Sequence, residues 1–145
     1  MILFGDKILN AYRLLFFLTL LNLLNFVDRQ LIASFANFIV PDLGLTDTQY
    51  GFLTTVPFII FYSIAGLFMG VLADMVNRPK LIAFGVVLWS VFTAMTGAAK
   101  GFISMALPRM FIGVGESILT PTSMSLLSDS FPSKRMGFAA GFYYM

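Results

Sequence analysis

Long apolar runs separated by short polar breaks dominate this chain. The first extends over residues 14–39, interrupted by Asn22, Asn25 and the Asp28-Arg29 pair. A second covers residues 50–73 without a charge, a third 81–99 and a fourth 102–128. A fifth begins near residue 136 and runs to 145. Crossing a hydrocarbon core takes roughly 20 mostly apolar residues in a helix. The pattern therefore predicts an all-α membrane protein, with four transmembrane helices plus the start of a fifth. Residues 1–12 read as a short amphipathic lead-in.

The breaks carry their own signals. Pro41 to Gly44 ends the first run, and Thr46 or Asp47 can cap the second. Gln49 stands three residues after Thr46, a capping-box spacing. Pro57 within the second run is tolerable in a bundle and suggests a kink. Gly66 and Gly70 have the G-x-x-x-G spacing, which offers either a close helix contact or only the glycine usage common in membrane helices. Residues 74–80 and 129–135 are charged loops, and Lys100-Gly101 makes the remaining turn. Pro108 stands near the start of the fourth run and Pro121 late in it.

Composition strengthens the membrane reading. The chain is 59% hydrophobic and 11% charged, against about 25% charged in ordinary domains. It contains no Cys and no His, which removes thiol chemistry, the usual general base and the commonest metal ligand. Carboxylates do not cluster, so neither a metal nor a cofactor is expected. Basic residues are scattered, which argues against a nucleic-acid partner. Lys7 and Arg13 before an apolar run imitate a signal peptide, yet no small-residue cleavage site follows. A retained first helix is expected.

Basic residues also set an orientation. Lys7, Arg13, Arg78, Lys80, Lys134 and Arg135 fall on one side of the predicted spans, and Lys100 alone falls on the other, with Asp42 and Asp47. The basic side, including the N-terminus, is expected to be cytoplasmic.

The candidate chemistry lies inside the spans. The stretch 109–121, RMFIGVGESILTP, carries Arg109 and Glu116 in apolar surroundings. Seven residues place the two on one helix face, about 10 Å apart along the axis. Asp28 and Arg29 lie about 22 Å along the first helix, somewhat past the midplane. The four depths interleave, so adjacent first and fourth helices would let two acids and two bases neutralise one another. Each such group costs roughly 2.5–3.5 kcal/mol in a bilayer and marks a pathway by default. Either the cluster takes up and releases a proton or holds a polar substrate group, or it is an ion-pair network that fixes packing. Low dielectric favours a neutral carboxyl and a nearby guanidinium favours the charged form, so moving the arginine would load or unload a proton. Glu116 is the favoured carrier because it lies deepest, and Asp28 is second because Arg29 can hold it ionised.

Asn22, Asn25, Gln30 and Asn37 either line a polar path or make helix–helix hydrogen bonds, and each taken singly reads as the latter. Ser117, Ser123, Ser125 and Ser128 lack a nucleophile setting and read as serines bonded back to their own helix. No enzyme is expected.

The stretch 70–80, GVLADMVNRPK, resembles the G-x-L-A-D-R-x-G-R-K loop of the major facilitator superfamily, between its second and third helices. Met75 and Asn77 stand where that pattern has a basic residue and a glycine. The resemblance implies that Gly70 permits close packing, that Asp74 caps or pairs at the helix end, and that Arg78 and Lys80 anchor the interface. NFVDRQLIA at 25–33, DLGLTDTQYGFL at 42–53 and RMFIGVGESILTPTSMSLLSDSFPSKR at 109–135 resemble bacterial members of the Spinster family, associated in animals with proton-linked lipid and lysolipid transport. By that resemblance Asp28, Arg29, Arg109 and Glu116 would be coupling and binding residues, in a bacterial inner membrane. Organic-anion symporters of the same superfamily share a D-R pair and a similar fourth helix.

The superfamily has twelve helices in two halves with the substrate site between them. The resemblance thus implies an incomplete N-terminal half, whose partners are the bilayer, a small-molecule substrate, protons and the missing C-terminal part. The expected function is secondary active transport, proton-coupled and by alternating access, of an amphiphilic or lipid-like substrate. Rivals are an organic-anion or sugar symporter and, in another class, a non-transporting membrane scaffold. A scaffold gives no reason to bury Asp28, Arg29, Arg109 and Glu116 together.

Overall fold

Seven α-helices form in a computed structural model that describes residues 2–145, with side chains from residue 9 onward. Lys7, counted on the basic side, lies outside the described side chains. The helices are α1 (Ile2–Ser34), α2 (Ala36–Asp42), α3 (Asp47–Met75), α4 (Arg78–Gly97), α5 (Phe102–Ser117), α6 (Leu119–Ser130) and α7 (Ser133–Tyr143). Four stretches are long and apolar enough to span a membrane: Leu9–Ser34, Asp47–Met75, Arg78–Gly97 and Phe102–Ser130. The first predicted run thus comprises α1 and α2, and the fourth comprises α5 and α6.

Both long runs are interrupted for local reasons. The Tyr50 hydroxyl donates to the Ile32 carbonyl, the acceptor that the Ala36 amide would use in an unbroken helix. The chain breaks at Phe35 and resumes as α2. In the fourth run Pro121 has no amide hydrogen to offer the Ser117 carbonyl. One residue, Ile118, then separates α5 from α6 while keeping helical dihedral angles.

Several boundaries differ from the sequence expectation. The first helix starts at Ile2 rather than residue 14. Pro41 does not end the following helix but lies inside α2. The stop is Gly44, whose φ of 60 suits glycine. There the Leu45 amide donates to the Val40 carbonyl at 2.9 Å and the Gly44 amide to the Pro41 carbonyl at 3.3 Å, a Schellman closure. The expected box opens α3: Thr46 accepts from the Gln49 amide, and the Gln49 side chain accepts from the Thr46 amide. The helix then continues unbroken past Pro57. The polar loop at 74–80 contracts, because Asn77 caps α4 by accepting from the Lys80 amide at 3.1 Å and Pro79 sits in the first turn. Arg78 and Lys80 are therefore helical, and Asp74 belongs to the last turn of α3.

The fourth span is the axis of the bundle. Over its most apolar stretch 56% of the residues are buried, against 17%, 22% and 22% in the other three. Helix α5 is clasped between α3 and α4, whereas α1 packs mainly on α6 and α7. Backbone approach explains the clasp. A Cβ on Gly113 would stand 2.7 Å from the Phe58 carbonyl oxygen, and one on Gly115 would stand 2.9 Å from the Trp89 amide nitrogen. The G-x-x-x-G pair of α3 has no such role. A Cβ on Gly70 would meet nothing within 4 Å, and one on Gly66 would make an ordinary contact with Ser117 at 4.0 Å. The close packing expected of Gly70 is absent here, because the intimate face of α3 is that of Phe58 and Tyr62.

Candidate functional site

Glu116 lies midway along the fourth span, in the last turn of α5, and its side chain is fully buried. The Arg29 Nε donates to its Oε2 at 2.6 Å. Asn25, one turn before Arg29 on α1, accepts from Arg29 Nη2 at 2.7 Å. The rings of Phe58 and Tyr62 on α3 are stacked with centroids 5.5 Å apart. Each centroid lies 5.0 Å from the Arg29 guanidinium carbon. Arg29 is thus held by three helices through a carboxylate, an amide and two aromatic faces, the last a cation–π arrangement.

Arg109, 3% exposed, lies on the same helix as Glu116 but takes different partners. It donates from Nη2 to the Thr54 carbonyl at 3.2 Å, and its guanidinium carbon lies 5.4 Å from the Phe58 centroid. Its Nε has no partner among the described residues. Asp28 accepts from the Thr93 hydroxyl of α4 at 2.7 Å. Asp28, Thr93 and Arg109 share a cavity of about 250 Å³ with the apolar side chains of Ile32, Met105 and Ile112.

The structure brings the four charges into one region without pairing all of them. Arg29 and Glu116 form an ion pair, whereas Asp28 and Arg109 form none among the described residues. Full mutual neutralisation is not what the geometry gives. The reason is helix placement: α1 meets the fourth span mainly through α6, and the Arg29 side chain reaches across to Glu116 at the end of α5. Asn25, expected to bond between helices, instead accepts from Arg29 on its own helix; Phe58, Tyr62, Thr54 and Thr93 complete the surroundings and are not singled out by the sequence. The i, i+4 spacing of Asn25 to Arg29, and of Phe58 to Tyr62, was the available signal. Asn22 does make a helix–helix bond, to the Tyr143 carbonyl at 3.0 Å. Ser117 and Ser128 bond back to Val114 and Ser125, as read.

A second charge group lies at the basic end. Arg78 bridges Asp74, at 3.6 Å, and Asp129 at the end of α6, and its Nε donates to the Ala73 carbonyl at 3.2 Å. Lys80 is exposed. No group of His, Cys, Asp and Glu that could hold a metal occurs among the described residues.

The profile of the Major Facilitator Superfamily matches residues 18–145. The chain is 34% identical over 134 residues to a probable L-galactonate transporter of Escherichia coli, covering 92% of this chain and 28% of that protein. It is 32% identical over 114 residues to protein spinster of Drosophila melanogaster, covering 79% of this chain and 19% of that one. The crystal structure of a bacterial homolog to the human lysosomal transporter Spinster, inward-facing and unoccupied, superposes with a TM-score of 0.89 at 37% identity. That match covers 93% of this chain and 28% of the other. The chain therefore spans under a third of the length of these relatives.

Proposed function

The chain belongs to the Major Facilitator Superfamily, and on that premise we propose that it is the incomplete N-terminal half of a proton-coupled secondary transporter. It is an integral membrane protein by family and by its four apolar spans. In this reading Arg29, Glu116, Asp28 and Arg109 are the coupling and binding residues. The basic end, with the N-terminus, faces the cytoplasm of a bacterial inner membrane. The Arg78, Asp74 and Asp129 group latches that end, with Gly70 and Lys80 in the same segment.

One observation carries the proposal: a fully buried carboxylate holds a guanidinium from another helix, and that guanidinium has further partners of its own. Protonating Glu116 removes the charge that binds Arg29. Asn25 and the two rings still receive the guanidinium, so the pair opens without stranding a cation. Helix α1 then shifts relative to α5, and alternating access couples that shift to proton uptake. A scaffold needs no such releasable clasp.

The cavity walls favour an amphiphile. Leu31, Ile32, Ile39, Met105 and Ile112 are apolar, while Asp28, Asp42 and Arg109 supply charge. A small organic acid is the second reading, favoured by the unpartnered Nε of buried Arg109 and by a relative named hexuronate transporter.

The test is uptake into proteoliposomes by the whole carrier under an imposed pH gradient, with a lysophospholipid and glucuronate as competing solutes. Glu116→Gln is expected to abolish the pH response while the protein still inserts. Undiminished proton-driven flux in that variant would remove Glu116 as carrier. Tag accessibility at each terminus checks the orientation.

A further inference from the structure

We propose that the hydroxyls of Thr120, Ser123 and Tyr143 form the inner leg of the proton route, joining Glu116 to the basic end of the bundle. This rests on the reading of Glu116 as the proton carrier.

Thr120 and Ser123 follow Glu116 by four and seven residues, so all three share one face of the fourth span. The two steps are about 6 Å and about 4.5 Å along the axis, towards the end that carries Lys134 and Arg135. Tyr143 approaches the fourth span from α7, which packs on α6, and lies in one buried cluster with Leu119 and Leu127 of α6. Ser123 and Tyr143 are both 0% exposed. Their hydroxyls, and Glu116 Oε1, have no hydrogen-bond partner within the protein among the described residues. Buried polar groups in folded proteins are nearly always bonded. A serine on a helix normally satisfies itself on the preceding turn, as Ser117, Ser128 and Ser130 do here. Ser123 does not, and its buried hydroxyl has no partner among the described residues.

The placement of Tyr143 is specified. Asn22 of α1 donates to its backbone carbonyl at 3.0 Å, which ties α7 to the helix that carries Arg29. The charged groups that act on Glu116 are Arg29 and Asp28 from α1 and Arg109 from α5. Tyr62 and Tyr144 are the titratable neighbours of Tyr143. No fixed charge sits within the hydroxyl group itself. Beyond it, Leu15, Leu18 and Leu127 close the seam between α1 and α6, each at most 2% exposed. The leg is therefore shut at the basic end in this conformation and opens only when α1 parts from α6.

The transfer conserves every group. The Glu116 carboxyl gives its proton to a hydroxyl oxygen, which releases its own proton to the next, directly or through one bridging water. The last proton passes to water at the basic end. Each hydroxyl is unchanged and Glu116 is left as carboxylate for Arg29.

The experiment follows the Glu116 carboxyl stretch by time-resolved infrared spectroscopy in the whole carrier, in oriented vesicles, after a pH jump on one side. Tyr143→Phe, Ser123→Ala and Thr120→Val are each compared with the parent, and thermal melting checks folding. For a jump at the basic end, the band is expected to respond at least about tenfold more slowly in Tyr143→Phe and Ser123→Ala. For a jump on the opposite side, its rate is expected to be unchanged. Equal rates in parent and variants on both sides overturn the relay and leave Glu116 as carrier. Equal slowing on both sides, or misfolding of all three variants, assigns these residues to packing and also overturns it. Absence of a titrating band that disappears in Glu116→Gln removes the carrier reading, and the relay with it.

Discussion

Arg29 and Glu116 meet at 2.6 Å although they are 87 positions apart in sequence, one on the first span and the other at the centre of the fourth. The pair is asymmetric. The carboxylate side chain is 0% exposed and the guanidinium side chain 37%. Removing the two partners therefore has unequal consequences.

Arg29→Gln leaves a buried carboxylate without its cation, which is expected to cost about 3 kcal/mol, the low end for a broken buried pair because Arg29 is partly exposed. Glu116→Gln leaves Arg29 with Asn25 and two rings and is expected to cost less. The double variant should recover part of the Arg29→Gln loss. Thermal melting in detergent, read as a double-mutant cycle, measures this, and purely additive losses would mean that the pair is not energetically coupled.

Glycine substitutions separate seats from bystanders. Gly113→Ala drives a Cβ to 2.7 Å from the Phe58 carbonyl, backbone that cannot step aside cheaply. A loss of about 1–3 kcal/mol is expected, as for overpacking. Gly70→Ala enters open space and should change stability by no more than about 0.5 kcal/mol. The same melting assay ranks the two.

Removing the α3 cap gives a local readout. Thr46→Ala loses the bond to the Gln49 amide and is expected to cost about 1 kcal/mol. Hydrogen exchange should accelerate at the first turn of α3 and leave the centre of α5 unchanged.

Tyr50→Phe tests the cause of the break between α1 and α2. Without the hydroxyl, the Ile32 carbonyl is returned to the Ala36 amide. Slower hydrogen exchange at Ala36 is expected. An unchanged rate would place the cause of the break elsewhere.

The sequence alone determined the elements, because a bilayer leaves little freedom. A run long enough to cross it must be a helix that satisfies its own backbone, and the four runs, the Thr46–Gln49 box and a break within residues 41–44 follow from composition and spacing. It also flagged Asp28, Arg29, Arg109 and Glu116, since charge in such runs is costly wherever it points. Only the tertiary structure decided the pairing. Depth along a helix is fixed by residue number, but rotation about its axis and the choice of neighbour are set by side-chain packing. The backbone contacts at Gly113 and Gly115 seat α5 between α3 and α4, so Arg29 reaches Glu116 while Asp28 turns to Thr93 and Arg109 to Thr54. Aromatic residues at 58 and 62 look like any lipid-facing pair in sequence. They become part of the site only when α1 lays a guanidinium across them.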